Sequence, residues 1–307
     1  MQIELTQLRQ RFAAAGYIVD ENAILTVFLA LKLQKPLLIE GAPGVGKTEM
    51  GKVLAEVLDT ELIRLQCYEG LDETKALYEW NYQRQLLRIQ INRGREAPET
   101  REEDLFSPDY LLERPLLKAI QAEEKTVLLI DEVDKCDPEF EAFLFEVLSD
   151  FQVSIPELGT LKARNIPVVV LTSNSERELS DGLKRRCLYL YLDFPGVEQE
   201  VRIIRARVPE AGERLSLEIA RVIAFLRRQA ELRKKPSIAE TLDWARALIA
   251  LERSRLDGAL VSGTLNLLLK TRRDQEYFAR EIGPAGIERL LHQAGESRGE
   301  EGSCRCR

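Results

Sequence analysis

One stretch limits what this chain can fold into more than any other. Pro36-Leu37-Leu38-Ile39-Glu40 runs into Gly41-Ala42-Pro43-Gly44-Val45-Gly46-Lys47-Thr48. It reads as a short buried strand, a glycine-rich turn and the start of a helix. The spacing G-x-x-x-x-G-K-[ST] in that context is a phosphate-binding loop. Gly41, Gly44 and Gly46 let successive backbone N–H groups turn inward around an anion with no side chain in the way. The helix beginning near Lys47 adds the positive end of its dipole. Lys47 reaches the β- and γ-phosphates, and Thr48 offers a hydroxyl to Mg²⁺. With Glu49 in the same first turn, residues 41–49 form a candidate site for a nucleotide and Mg²⁺.

The rest of the chain alternates strands and helices around this loop. Leu5 to Ala15 is a short helical segment stopped at Gly16, and Asp20 caps a second helix with Ala23, Ile24, Val27, Phe28 and Leu31 at helical spacing. Glu61 to Gln66 alternates as a strand. A long polar insertion from about 67 to 112 follows, with an apolar alternation from Leu87 to Ile91 and a charge-dense run from Arg93 to Asp104. Insertions of that length are functional or mobile. Pro115 opens a helix, and Thr126-Val127-Leu128-Leu129-Ile130 is a continuous apolar run fit for a central parallel strand. Phe151 to Leu161 reads as a small hairpin, Pro167 to Thr172 as another buried strand and Leu188 to Leu192 as the last. Beyond Pro195-Gly196 the pattern is helical. These features predict an α/β domain over 1–195, a parallel sheet sandwiched by helices, followed by a small all-α domain over 196–294 and a disordered tail over 295–307.

Asp131 and Glu132 end the central strand, on the edge where doubly wound sheets place their ligands. Mg²⁺ keeps most of its water and takes one or two carboxylates, a role open to Asp131. Glu132 is then placed to polarise a water for attack on a γ-phosphate. Asn174, at the end of the following strand, either hydrogen-bonds that water or forms a turn. Arg185 and Arg186 either face solvent or reach a phosphate held by a neighbouring copy.

Composition removes several alternatives. A net charge of −7 argues against a duplex-binding protein, which needs a basic field. The run from Arg227-Arg228 to Arg233-Lys234-Lys235 lacks interleaved aromatics and reads as a solvated helix face rather than a nucleic-acid patch. One histidine, His292, is too few for a histidine metal site or a Ser-His-Asp triad. Asp134 and Asp137 read as helix-start charges. Five scattered cysteines, among them the pair Cys304 and Cys306 near the end, suggest a reducing compartment. With no secretory signal and no spanning segment, the expected location is cytoplasmic, which leaves peripheral membrane contact open.

In this order, the phosphate loop, Leu128-Leu129-Ile130-Asp131-Glu132, Leu171-Thr172-Ser173-Asn174 and Leu183-Lys184-Arg185-Arg186-Cys187 resemble an AAA+ ATPase. With the hairpin Ser154-Ile155-Pro156-Glu157-Leu158-Gly159 ahead of the asparagine strand, the chain is similar to the MoxR group. Tyr68-Glu69-Gly70-Leu71-Asp72 and Trp80-Asn81-Tyr82-Gln83-Arg84-Gln85-Leu86 resemble its CoxD-type members, which are linked with maturation of molybdenum-containing carbon monoxide dehydrogenase. The resemblance covers roughly residues 17–292. It implies a ring, usually a hexamer, with ATP between subunits. Lys47 and Thr48 would be the Walker A pair, Asp131 and Glu132 the Walker B pair, Asn174 the first sensor and Arg186 the arginine finger. Tyr17 and Ile18 would lie near the adenine. It also implies a metalloenzyme client, a partner carrying a von Willebrand factor A domain and no nucleic acid.

The family's second sensor is a basic residue early in a lid helix. The matching stretch here, Pro236-Ser237-Ile238-Ala239-Glu240-Thr241, has none. Either Arg246, about two turns further on, takes the role, or phosphate sensing through the lid is weak. Trp80 and Tyr82 either grip a client or pack in a hairpin. A DNA-directed motor and a nucleotide-dependent switch with little turnover are the remaining function classes.

Overall fold

The computed structural model describes residues 3–92, 105–156 and 158–301. The charge-dense run 93–104, Glu157 and the Cys304/Cys306 pair lie outside them. The chain divides into two compact units. The first takes the residues to Ala15, Asp20–Ala42 and Lys47–Leu192; the second takes Gly16–Val19, Pro43–Gly46 and the residues from Asp193 on.

In the first unit, α1 (Leu5–Ala14) and α2 (Glu21–Leu33) precede β1 (Leu37–Gly41), and α3 (Lys47–Leu58) leads to β2 (Glu61–Gln66). Asp20 caps α2 by accepting the Ala23 N–H at 2.7 Å, as its position before the apolar pattern predicts. The insertion holds α4 (Glu73–Ala76), β3 (Tyr78–Trp80), α5 (Tyr82–Asn92) and β4 (Leu111–Glu113). Next come α6 (Pro115–Gln121), β5 (Thr126–Asp131), α7 (Pro138–Asp150) and the hairpin β6 (Gln152–Ile155) with β7 (Gly159–Lys162). The unit closes with β8 (Val168–Ser173), α8 (Asp181–Arg186) and β9 (Leu188–Leu192).

Five parallel strands form the sheet in the order β2-β5-β8-β1-β9. Every residue of β5 is buried, as its unbroken apolar run requires of a strand covered on both faces. Ile63, Leu65, Leu128, Ile130, Val169, Leu171 and Leu38 share one core with Leu116, Leu117 and Ile120 of α6 and Phe140 and Leu144 of α7. On α3, a Cβ on Gly51 would stand 2.8 Å from Leu129 Cδ1, so glycine is what lets this helix lie close to β5.

The insertion differs from expectation. Residues 87–91, read as an apolar alternation, lie inside α5. Gln, Arg and Leu from 82 to 92 hold no Gly or Pro, and the Asn81 side chain accepts the Arg84 N–H at 3.0 Å, so a capped helix wins over period-two alternation. β3 and β4 pair antiparallel as a separate small sheet. Trp80 is buried there against the Phe106 ring at 5.3 Å and is a core residue rather than a gripping one; Tyr82 is exposed.

The second unit is helical beyond residue 193: α9 (Val197–Arg207), α10 (Gly212–Arg228), α11 (Ile238–Ala250), α12 (Gly258–Gly263), α13 (Arg272–Tyr277) and α14 (Gly283–Glu301). Trp244, Leu226, Ile223 and Phe278 sit in its core. α14 passes residue 295, where the tail was expected to begin; no proline after Pro284 stops it. No helix among the described residues is long and apolar enough to cross a membrane.

Candidate nucleotide site

β1 delivers the phosphate loop and α3 receives it. Gly44 and Gly46 hold φ of 79° and 97°, backbone that an L side chain resists. Lys47 lies at the start of α3, only 6% exposed, and its ammonium donates to the carbonyls of Gly41 at 2.7 Å and Ala42 at 2.9 Å. Burial lowers its pKa from the ordinary lysine value, while Asp134, Asp131 and Glu132 pull towards the charged form. The two carbonyl contacts hold the ammonium against its own loop, where phosphate oxygens would arrive.

Asp131 is the most heavily held carboxylate of the group. It is 2% exposed, and its Oδ1 accepts from Thr48 Oγ1 at 2.8 Å and Thr172 Oγ1 at 2.5 Å, while Arg64 pairs with Oδ2. Mg²⁺ requires hard oxygens and retains water, and Thr48 Oγ1 beside Asp131 Oδ1 is a donor set that fits it. When bound, Mg²⁺ supplies charge neutralisation at the phosphate oxygens.

Glu132 follows in a left-handed backbone conformation, φ 58° and ψ 49°, unusual for a residue with a side chain. Its N–H donates to Thr172 Oγ1 at 2.9 Å, so one hydroxyl fixes both members of the acidic pair. The Glu132 carboxylate accepts from Lys135 Nζ at 2.6 Å and Gln66 Nε2 at 3.1 Å. Asn174 stands just past β8, where its N–H donates to Asp134 Oδ2 at 3.0 Å.

The structure thus brings Lys47, Thr48, Asp131 and Glu132 together and ties Asn174 to the same turn through Asp134. Arg186 lies at the end of α8, exposed, its guanidinium 4.9 Å from the centre of the Phe145 ring. Glu49 pairs with Lys52 at 3.4 Å. In the second unit, Tyr17 Oη donates to Gly46 O at 3.0 Å, and the Ile18 carbonyl accepts from Gln199 Nε2 at 3.1 Å. Also there, Ser237 caps α11 with Glu240, and the Ile238 N–H donates to Gly44 O at 3.1 Å. Arg246 pairs with Asp243 on the exposed side of α11.

Arg64, Gln66, Thr172, Asp134 and Lys135 were not legible as site residues. For Arg64 and Gln66 the signal was available in part: β2 pairs with β5 so that Gln66 faces Asp131 across the register. Only the strand order makes that signal usable.

Residues 36–187 match the family model of the AAA domain, dynein-related subfamily. That segment is an AAA ATPase domain. The chain is similar to an uncharacterized protein of Staphylococcus aureus strain USA300, 26% identical over 242 residues, covering 75% of this chain and 83% of its own. A counterpart from the bovine strain RF122 matches to the same extent. Among solved structures, the K64R mutant of RuvB from Thermotoga maritima superposes with a TM-score of 0.49 at 18% identity, covering 91% of this chain and 83% of that one. The RuvB Holliday junction branch migration motor from the same organism gives 0.47 at 18% identity over the same shares. Neither likeness bears on what this ATPase acts upon.

Proposed function

We propose that this AAA+ ATPase works as a ring of the MoxR type, probing and remodelling a metalloenzyme client, a molybdenum hydroxylase such as carbon monoxide dehydrogenase, together with a partner carrying a von Willebrand factor A domain. ATP and Mg²⁺ occupy the loop 41–48. The reading of the hydrolytic step rests on one observation: Thr172 fixes both the Asp131 carboxylate and the Glu132 backbone, which sets a metal-holding group and a water-orienting group one residue apart. Glu132 polarises the attacking water and Asn174 orients it. Lys47 balances charge on the transferring phosphoryl group, and Arg186 of an adjacent copy completes the site.

Support for a protein client comes from the insertion. α5 exposes Tyr82, Leu86, Leu87 and Ile91, large apolar side chains with no acidic residue among them. The test is reconstitution with the cofactor-deficient hydroxylase. ATP-dependent gain of hydroxylase activity, lost when Leu86 and Leu87 are replaced by Ser, is the expected result. Phosphate release that is indifferent to the client and stimulated by DNA would instead favour a DNA-directed motor.

A further inference from the structure

The acidic turn carries a third carboxylate that the reading above leaves without a task. Asp134 opens no helix face to solvent: it is 4% exposed, on the single turn Val133–Lys135 between β5 and α7. Its Oδ2 accepts two backbone N–H groups from the far side of the sheet edge, Asn174 at 3.0 Å and Glu176 at 2.9 Å. Ser175, between them, has φ of 60°, a strained conformation for a serine, and its N–H turns back to Ser173 Oγ at 3.0 Å. The two flanking N–H groups therefore converge on one anion, the geometry of a backbone nest. Oδ1 of the same carboxylate is buried and meets no donor among the described residues. Of the acidic groups near Lys47, Asp134 exerts the largest pull towards its charged form.

We propose that Asp134 is the positioning residue of the ATPase site. Through its hold on the 174–176 turn it fixes where Asn174 stands just past the end of β8. A carboxylate is needed because charge-assisted acceptance of two N–H groups offsets the strain at Ser175, which a neutral acceptor does less well. Asn174 alone cannot keep its place, because it lies just past the end of β8 and is followed by a left-handed residue. Nothing in this role requires Asp134 to touch the nucleotide.

The inference rests on the assignment of Asn174, so the experiment separates the two. Steady-state ATPase kinetics and ATP-analogue binding are measured for Asp134→Ala, Asp134→Asn, Asn174→Ala and the Asp134→Ala/Asn174→Ala double variant. Asp134→Ala is expected to lower kcat by about tenfold or more, as misplacement of a reacting group does. The double variant should be no slower than Asn174→Ala, because both changes remove the same contribution. Asp134→Asn retains an acceptor oxygen and should recover part of the loss, which also covers the case in which the alanine variant folds poorly. Multiplicative losses in the double variant overturn the positioning role while leaving Asn174 in place. Full activity in Asn174→Ala overturns both.

Discussion

The hydroxyl of Thr48 donates to Oδ1 of Asp131 over 2.8 Å, joining two residues 83 positions apart. That bond ties the first turn of α3 to the acidic end of the central strand. It places one hydroxyl and one carboxylate oxygen where a hydrated divalent cation is held by few protein ligands. Thr48→Ala should raise the Mg²⁺ concentration needed for half-maximal phosphate release. Thr48→Ser, which keeps the hydroxyl, should not. Equal Mg²⁺ dependence in all three proteins would remove Thr48 from the site.

Glu132 is held from one side by Lys135 and from the other by Gln66. If Glu132 orients the attacking water as proposed, an ion pair of this kind restrains it as much as it supports it. Lys135→Ala is expected to raise basal phosphate release severalfold, because the pair is partly exposed and its loss costs the fold little, within about 1 kcal/mol. A drop of tenfold or more would mean that Lys135 supports the reaction directly.

The tip of the phosphate loop tolerates no side chain at Gly44. Its φ is 79°, and an added Cβ would stand 2.2 Å from Ser237 Cβ. Gly44→Ala should weaken ATP binding and destabilise the protein by about 1 kcal/mol or more from backbone strain alone. Adding Ser237→Gly relieves the clash and not the backbone, so rescue should be partial. Complete rescue in urea unfolding would mean that φ at 44 relaxes freely.

In the helical unit, the Arg227 guanidinium is buried against Glu200, with contacts at 2.6 and 3.1 Å, and donates through Nε to Pro236 O at 2.8 Å. Glu200→Ala leaves that charge without its partner and should cost roughly 3–5 kcal/mol. The loss should be seen as an earlier urea transition of the helical unit.

Cys187 is a thiol pushed up to about 12, chiefly by burial. Its thiolate fraction at pH 8 is therefore far below that of a free cysteine. Alkylation mapped by mass spectrometry should leave Cys187 unmodified in the native protein at pH 8 and modify it after unfolding in urea. Native labelling at the rate of a free thiol would contradict the burial.

The strand-loop-helix around Lys47 and the acidic end of β5 were legible because each is a local pattern: periodicity, glycine spacing and a carboxylate after an apolar run. The five-stranded sheet followed from the same signals. What stayed hidden depends on which strands lie side by side. Thr172 looks like any strand threonine until β8 is known to flank β5, and Arg64 looks like a surface charge until β2 is known to flank the other side. Asp134 was read as a helix-start charge because local sequence does not reveal that the 174–176 turn folds over it. In the insertion, alternation at 87–91 competed with helix propensity and lost. The departure at 236–241 was legible as a missing basic residue. That Ile238 meets the phosphate loop through its backbone N–H was not, since a main-chain contact leaves no mark on side-chain identity.

Glu132 is proposed to drive ATP hydrolysis at a loop that binds nucleotide without it. Glu132→Gln keeps the shape and the hydrogen-bonding reach and removes the base. The decisive measurement pairs steady-state phosphate release with ATP-analogue affinity in this variant. The expected result is affinity within about threefold of the parent, a change of under about 1 kcal/mol, and release lowered by about a hundredfold or more. Unchanged release with intact binding would contradict it.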